Sequence, residues 1–289
     1  MKKRPQTSNP FHPPSPGPRI PVRILEPYPD FSNPTPEQCN AVRDDLLAAD
    51  GFPTQFADHR RKRAMRKNQT RTIRSSDDER GECENKRNDT VLDGVVNLLL
   101  SQNTTETNSA RAFLSLKSTF PDWENVLGAE NQILESAIRC GGLAKTKAAR
   151  IKCMLKELME RRGDFSLEYL HDLPIDEVKA ELSRFKGIGP KTVACVLMFN
   201  LQQDDFPVDT HVLRITKSMG WVPEKADREK AYLHLNRKIP DELKFDLNCL
   251  LFTHGKLCQS CSKKGGDQLT GISHAPCPLT KYRTRTTKN

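Results

Sequence analysis

Three observations predict an all-α fold for this chain. Apolar residues recur at helical spacing, as in Ile175, Val178, Leu182 and Phe185. Alternating apolar and polar runs of the strand type are absent from the sequence. Helix starts are punctuated by Thr35-Pro36-Glu37-Gln38, which reads as a capping sequence, and by Pro190, whose missing N–H costs nothing at a first helical position.

Composition narrows the class of partner. A length of 289 residues permits one large domain or two modest ones. Only 36% of residues are apolar and 20 are proline, so part of the chain is expected not to pack. The balance of 46 Lys+Arg against 37 Asp+Glu leaves +9, which suits a polyanion. No run approaches the ~18 apolar residues of a membrane span, and no secretory signal is expected, because the first residues lack an apolar core segment. Nine cysteines, an odd number scattered from Cys39 to Cys277 among others, argue for a reducing compartment rather than a disulfide framework.

Taken in order, residues 1–34 read as a disordered, proline-rich basic tail. The first 25 hold seven prolines, five Lys/Arg and no acid. A mitochondrial presequence is the alternative there, against which the proline density speaks, since it spoils an amphipathic helix. Residues 35–50 read as a helix burying Val42, Leu46 and Leu47. Residues 51–89 read as a charged linker or insertion, in which His59–Ser76 carries eight Lys/Arg and no acid before Asp77-Asp78-Glu79. Its bland reading is a solvated charge run; its functional one is a nuclear import signal that doubles as a non-specific DNA grip. From Thr90 onward the chain reads helical. Val91, Leu92, Val95, Val96 and Leu98–Leu100 supply one buried helix, Ala148, Ile151, Leu155 and Leu158 another, and Leu243, Leu247, Leu250 and Leu251 a late one. Residues 263–289, with Gly265, Gly266 and Gly271, read as a flexible tail.

The chemistry concentrates in 182–212. The apolar run ends at Lys186-Gly187-Ile188-Gly189 and a second helix starts at Pro190, burying Val193, Val196 and Leu197. Two helices joined by Gly187, Ile188 and Gly189 form a helix-hairpin-helix over 175–201. Its side-chain-free glycines let backbone N–H groups approach a phosphate, and the helix N-terminus adds partial positive charge. Such a hairpin grips the DNA backbone without reading sequence. Lys191 follows inside the second helix, where the positive helix end disfavours an ammonium and favours a nucleophilic amine. Taken alone, it is also an ordinary solvated or phosphate-contacting lysine. Asp209 stands eighteen positions on, before Val212, Ile215 and Met219. It can cap that helix and still turn its second oxygen to the site. His211 reads as a structural hydrogen-bonding residue.

These residues resemble the endonuclease III branch of the helix-hairpin-helix (HhH-GPD) DNA glycosylases. The family signature, Leu-x-Gly-x-Gly-x-Lys-Thr-Ala and then Val-Asp-Thr-His, compares with Phe185–Ala194 and Val208-Asp209-Thr210-His211, with Phe185 for leucine and Val193 ahead of Ala194. Leu99–Thr104 resembles the end of the family's second helix, Gly142–Ala148 its Gly-Leu-x-x-x-Lys-Ala loop, and Phe252–Gly255 the His-Gly closing its last large helix.

The resemblance implies a six-helix module over 90–219, a second module in which 35–50 joins 220–262, and double-stranded DNA in the cleft between them. It implies a bifunctional glycosylase/AP lyase acting on a damaged base or an abasic site; the chain is expected to be a monomer and, from its basic run, nuclear, with a mitochondrial location as the alternative. Lys191 and Asp209 would be catalytic: the lysine attacks the sugar, and the resulting Schiff base permits β-elimination. Gln102 and Leu143 would fill the gap left by an extruded nucleotide, and Lys145 and Lys147 would contact phosphates, although a polar helix end, a buried loop leucine and solvated lysines are the bland readings. Oxidised pyrimidines are the expected substrate. 8-Oxoguanine, 5-methylcytosine and a catalytically inactive DNA-binding scaffold are the alternatives; retention of both Lys191 and Asp209 speaks against the last.

The main departure lies in the cysteines. Many family members hold a [4Fe–4S] cluster through four cysteines placed after the His-Gly. This chain offers Cys258, Cys261 and Cys277, and the first cysteine of that pattern is missing. Cys249 lies before His254 and reads as core. Zinc on Cys258, Cys261, His274 and Cys277 is a second possibility. The sequence favours no metal.

Overall fold

The computed structural model of the chain describes residues 26–72, 90–262 and 276–284. Residues 1–25 of the expected tail, the acidic run after the basic one, and His274 lie outside the described residues. Among those described there are twelve α-helices and no strand, the all-α class predicted. They are α1 (Pro36–Asp50), α2 (Ala57–Thr72), α3 (Val91–Ser101), α4 (Glu106–Thr119), α5 (Trp123–Gly128), α6 (Asn131–Ala137), α7 (Ala144–Arg162), α8 (Ile175–Leu182), α9 (Pro190–Cys195), α10 (Thr210–Ser218), α11 (Arg228–Lys238) and α12 (Asp241–Leu257). None is long and apolar enough to cross a membrane.

Local chemistry sets the helix starts. Thr35 and Thr90 each accept the N3 backbone N–H while the N3 side chain, Gln38 or Asp93, accepts the cap's own N–H, so two orphan donors are satisfied at each end. Thr105, Asp122, Asp209 and Asp227 cap α4, α5, α10 and α11 with side-chain oxygens. Past Cys195 the chain continues as a π turn over Val196–Asn200. Gly94 of α3 lets that turn sit close, because a Cβ there would fall 1.8 Å from the Asn200 amide nitrogen.

Two apolar cores organise these helices. The first runs from Val91 to Leu201 and joins α3 to α9. The second joins Cys39, Val42 and Leu46 of α1 to residues of α10, α11 and α12 and to Leu279. A small cluster of Met198, Phe245 and Cys249, flanked by Phe52, Phe56 and Phe199, bridges them.

Four boundaries differ from the sequence reading. The first core holds seven helices rather than six, and α10 lies outside it, because Val212, Ile215 and Met219 pack in the second core. Gly255 permits that packing: a Cβ there would come within 2.9 Å of His211 Cβ and Ile215 Cδ1. The linker expected over 51–89 contains α2. Arg63 anchors it, 6% exposed, donating to the carbonyls of Met198 and Gln203 and pairing with Asp204 while its guanidinium lies over the Phe245 ring. Neutral partners and an acid from the bridging region therefore satisfy a charge that composition alone reads as solvated. The tail expected over 1–34 is packed by Glu26, whose carboxylate is 2.9 Å from Nδ1 of the fully buried His234. Finally, 276–284 is not a free tail. Leu279 is in the second core, the Tyr282 hydroxyl bonds to Asp45, and Thr284 N–H donates to the Ser218 carbonyl at 2.9 Å.

Candidate active site

The hairpin is shaped by two glycines for different reasons. Gly187 has φ +94°, a backbone that favours glycine, and a Cβ there would lie 2.6 Å from Arg150 Cδ and displace that side chain. Gly189 has an ordinary extended backbone, and a Cβ there would meet nothing within 4 Å. Its bareness is not demanded by packing and leaves the start of α9 open to an incoming group. Between them Ile188 is buried in the first core, and its N–H donates to the Phe185 carbonyl. This holds the turn rigid.

Lys191 is exposed on the first turn of α9. It lines a cleft of ≈ 550 Å³ together with Gln102, Asn103, Gly187, Gly189, Arg150, Cys195 and Arg228, among others. Asp209 is 9% exposed and begins α10. Its Oδ1 accepts the N–H groups of both His211, at 2.9 Å, and Val212, at 2.8 Å. Capping therefore occupies one oxygen, and no described donor is bonded to the other. Lys191 belongs to a first-core helix and Asp209 to a second-core helix, so the two come from opposite sides of the junction. Cys195 registers both. Burial pushes its thiol up to about 11, the Lys191 charge opposes that rise, and Asp209 and Asp205 add to it. His211 faces away from this chemistry, its Nδ1 donating to the Gly255 carbonyl at 2.8 Å and its ring edge-on to Phe252.

Gln102 and Leu143 occupy contrasting settings. Gln102 ends α3, donating from Nε2 to the Gly187 carbonyl and accepting from Arg150, both at 2.9 Å. It is tied to the hairpin. Leu143 precedes α7 with a left-handed backbone, φ +50°, and is 57% exposed. A bulky residue held there is strained, and burial does not account for it. Lys145 is exposed on the first turn of α7. Lys147 is not available to phosphate, contrary to expectation. It is 1% exposed, and its ammonium donates to the carbonyls of Leu100 at 2.7 Å and Gly141 at 2.8 Å. Packing of α7 on α3 turns this side chain inward, whereas spacing alone shows only a basic loop.

Arg150, Arg228 and Cys195 were missed in the sequence. Arg150 lies one helical turn beyond Lys147, a regular basic spacing that offered a weak signal. Away from the cleft, His254, Cys258, Cys261 and Cys277 place one ligand atom each within 4.8 Å of one another, close enough to hold one metal ion. His254 was also missed as a ligand, although its spacing four residues before the Cys258-x-x-Cys261 pair was legible.

The profile of the HhH-GPD superfamily of base excision DNA repair proteins matches residues 96–241. An Arabidopsis thaliana protein named "Putative DNA glycosylase" is 55% identical over 264 residues, covering 89% of this chain and 88% of that protein. The DNA glycosylase/AP lyase ROS1 of the same plant is 31% identical over 169 residues, which cover 50% of this chain but 12% of ROS1. Among solved structures, a trapped endonuclease III–DNA covalent intermediate superposes with a TM-score of 0.56 at 19% identity, covering 77% of this chain and 86% of that one. A thermostable thymine-DNA glycosylase gives 0.56 at 14% identity, covering 79% and 88%. At these identities the structural likeness speaks to the fold.

Proposed function

The chain belongs to the HhH-GPD superfamily of base excision DNA repair proteins, and on that premise we propose that it is a bifunctional DNA glycosylase/AP lyase acting on oxidised pyrimidines in nuclear double-stranded DNA. The observation that carries the reading is an exposed Lys191 beside the hairpin and, across the junction, an Asp209 whose cap bonds engage one carboxylate oxygen and leave the other without a described donor. ROS1, named as a glycosylase and lyase, lends support to the lyase half.

The N–H groups of Gly187 and Gly189 and the exposed Lys145 hold the phosphate backbone, whereas that of Ile188 is taken by the Phe185 carbonyl. Leu143 and Gln102 enter the stack as the damaged nucleotide turns out. Asp209 accepts the proton Lys191 must lose, directly or through water, and offsets positive charge building on the sugar. The Lys191 amine then bonds to C1′ as the C1′–N bond breaks, and the base departs with a proton. Ring opening yields the Schiff base, C2′ loses a proton, and the 3′ phosphate leaves with the C–O bonding pair. Each step uses one chain and no redox partner.

Borohydride reduction during turnover of a thymine-glycol or abasic duplex is expected to trap a covalent complex. An equal yield from Lys191→Ala overturns the nucleophile assignment. Parallel duplexes carrying 8-oxoguanine or 5-methylcytosine separate the substrate classes, and faster release of either base replaces oxidised pyrimidines as the substrate.

A further inference from the structure

The cysteine cluster at the end of α12 lies among residues that the proposed chemistry does not use. Within the family this position is associated with a [4Fe–4S] cluster on four thiolates. The residues present do not fit that group. Three cysteines converge, and the fourth ligand atom is an imidazole nitrogen. Among the other described cysteines near this end, Cys249 is fully buried in the bridging apolar cluster and Cys39 in the second core. A four-iron cluster also needs room between its ligands, and here all four atoms lie within 4.8 Å of one another.

The same geometry suits a single small ion. His254 Nε2 is 3.4 Å from Cys277 Sγ, and Cys277 Sγ is 3.6 Å from Cys261 Sγ. A tetrahedral zinc about 2.0–2.3 Å from each ligand holds its ligand atoms roughly 3.5 Å apart. We infer that His254, Cys258, Cys261 and Cys277 form a closed, structural Cys3His zinc site that clips the 276–284 segment onto α12.

The surroundings are those of a ligand set. His254 Nδ1 donates to the Asp50 carboxylate at 2.9 Å. That bond fixes the tautomer and leaves the Nε2 lone pair facing the sulfurs, the carboxylate–histidine arrangement that orients metal-bound imidazoles. The Cys261 and Ser262 N–H groups donate to the Cys258 carbonyl at 3.1 and 2.7 Å, a tight turn that brings the Cys258 and Cys261 side chains to one site. Arg283 donates to Cys261 Sγ at 3.2 Å and to the Ser260 carbonyl at 3.1 Å. Three thiolates and one neutral imidazole around a divalent ion carry one net negative charge, which Arg283 balances. Four protein ligands leave no open position, so the ion has no catalytic role. It joins the last residue of α1, through Asp50, to α12 and to the segment that carries Leu279 into the second core.

The test is elemental analysis of the full chain, purified without chelator from cells supplied with both zinc and iron. About one zinc per chain is expected; about four irons, no metal, or a Cys261–Cys277 disulfide found by mass spectrometry after alkylation overturns the site. Cobalt added to the chelator-stripped chain is expected to give thiolate charge-transfer and tetrahedral ligand-field bands, and their absence counts against the geometry. Asp50→Asn is expected to weaken zinc about 10- to 100-fold in competition with a chelating dye, and His254→Cys to keep one zinc. Asp50 is half exposed, so the first variant should fold. Unchanged zinc affinity in both Asp50→Asn and His254→Ala removes His254 from the ligand set. None of these readouts depends on glycosylase activity.

Discussion

Lys147 of α7 donates its ammonium to the Leu100 carbonyl across 2.7 Å, joining α7 to the end of α3. Its second bond, to Gly141, closes the link. Leu100 and Gly141 each stand two residues before a residue proposed to enter the DNA stack, Gln102 and Leu143. One buried cation thus sets the spacing of both.

Lys147→Met keeps length and removes every donor. Two buried carbonyls then lose their partner, at about 1–3 kcal/mol each, so urea melts should show a loss of about 2–6 kcal/mol with the salt dependence of DNA binding unchanged. Lys145→Ala should do the reverse, lowering the log–log salt slope by about 0.9 and leaving stability alone. Burial, with Arg150 adding, holds the Lys147 amine below the usual lysine value of 10.5. The unfolded chain therefore binds the proton more readily than the fold, so this group costs stability below the lowered value, and that cost is relieved as pH rises from there towards 10.5. Stability followed over that alkaline range should rise less in Lys147→Met than in the parent.

Asp209→Asn should keep DNA affinity and slow base release on the order of a hundredfold or more in single turnover. The asparagine oxygen still accepts the His211 and Val212 N–H groups, so the α10 cap survives and stability should change little. A near-normal rate reduces Asp209 to a cap.

Leu143→Gly separates strain from function. Glycine relieves the left-handed backbone, worth about 1 kcal/mol, so the melt should not weaken. Losing the side chain should slow release from an intact duplex roughly tenfold, with a smaller effect where the target is already unpaired. Equal slowing on both substrates argues against a wedge.

Within α2, Arg63→Ala should cost about 3 kcal/mol, because a buried ion pair loses one partner. Arg61 and Lys62 are exposed, and replacing both with Gln should leave stability within about 0.5 kcal/mol while lowering the salt slope if they touch phosphate. An unchanged slope and unchanged nuclear localisation leave the exposed face of α2 without a DNA or import role.

The helical class and the catalytic candidates were legible along the chain because their signals are local. Apolar spacing, Thr35 before Gln38, and Gly187-Ile188-Gly189-Pro190-Lys191 each act within a few residues, the range over which capping, turn geometry and helix periodicity operate. What only the tertiary structure decided depends on which faces meet. Lys147 and Lys145 share the first turn of α7, yet one is sealed against two carbonyls and the other stands in solvent. Arg63 and Lys62 are neighbours, divided by the bridging cluster that α2 packs upon. Asp209 follows the hairpin directly, yet its helix packs in the second core, setting the two catalytic candidates on opposite sides of the junction. His254 reads as the residue before a helix-closing glycine until Cys277 is brought to its ring from twenty-three positions away. Burial and ligand convergence are properties of long-range contacts, and residue type and spacing carry no direct record of them.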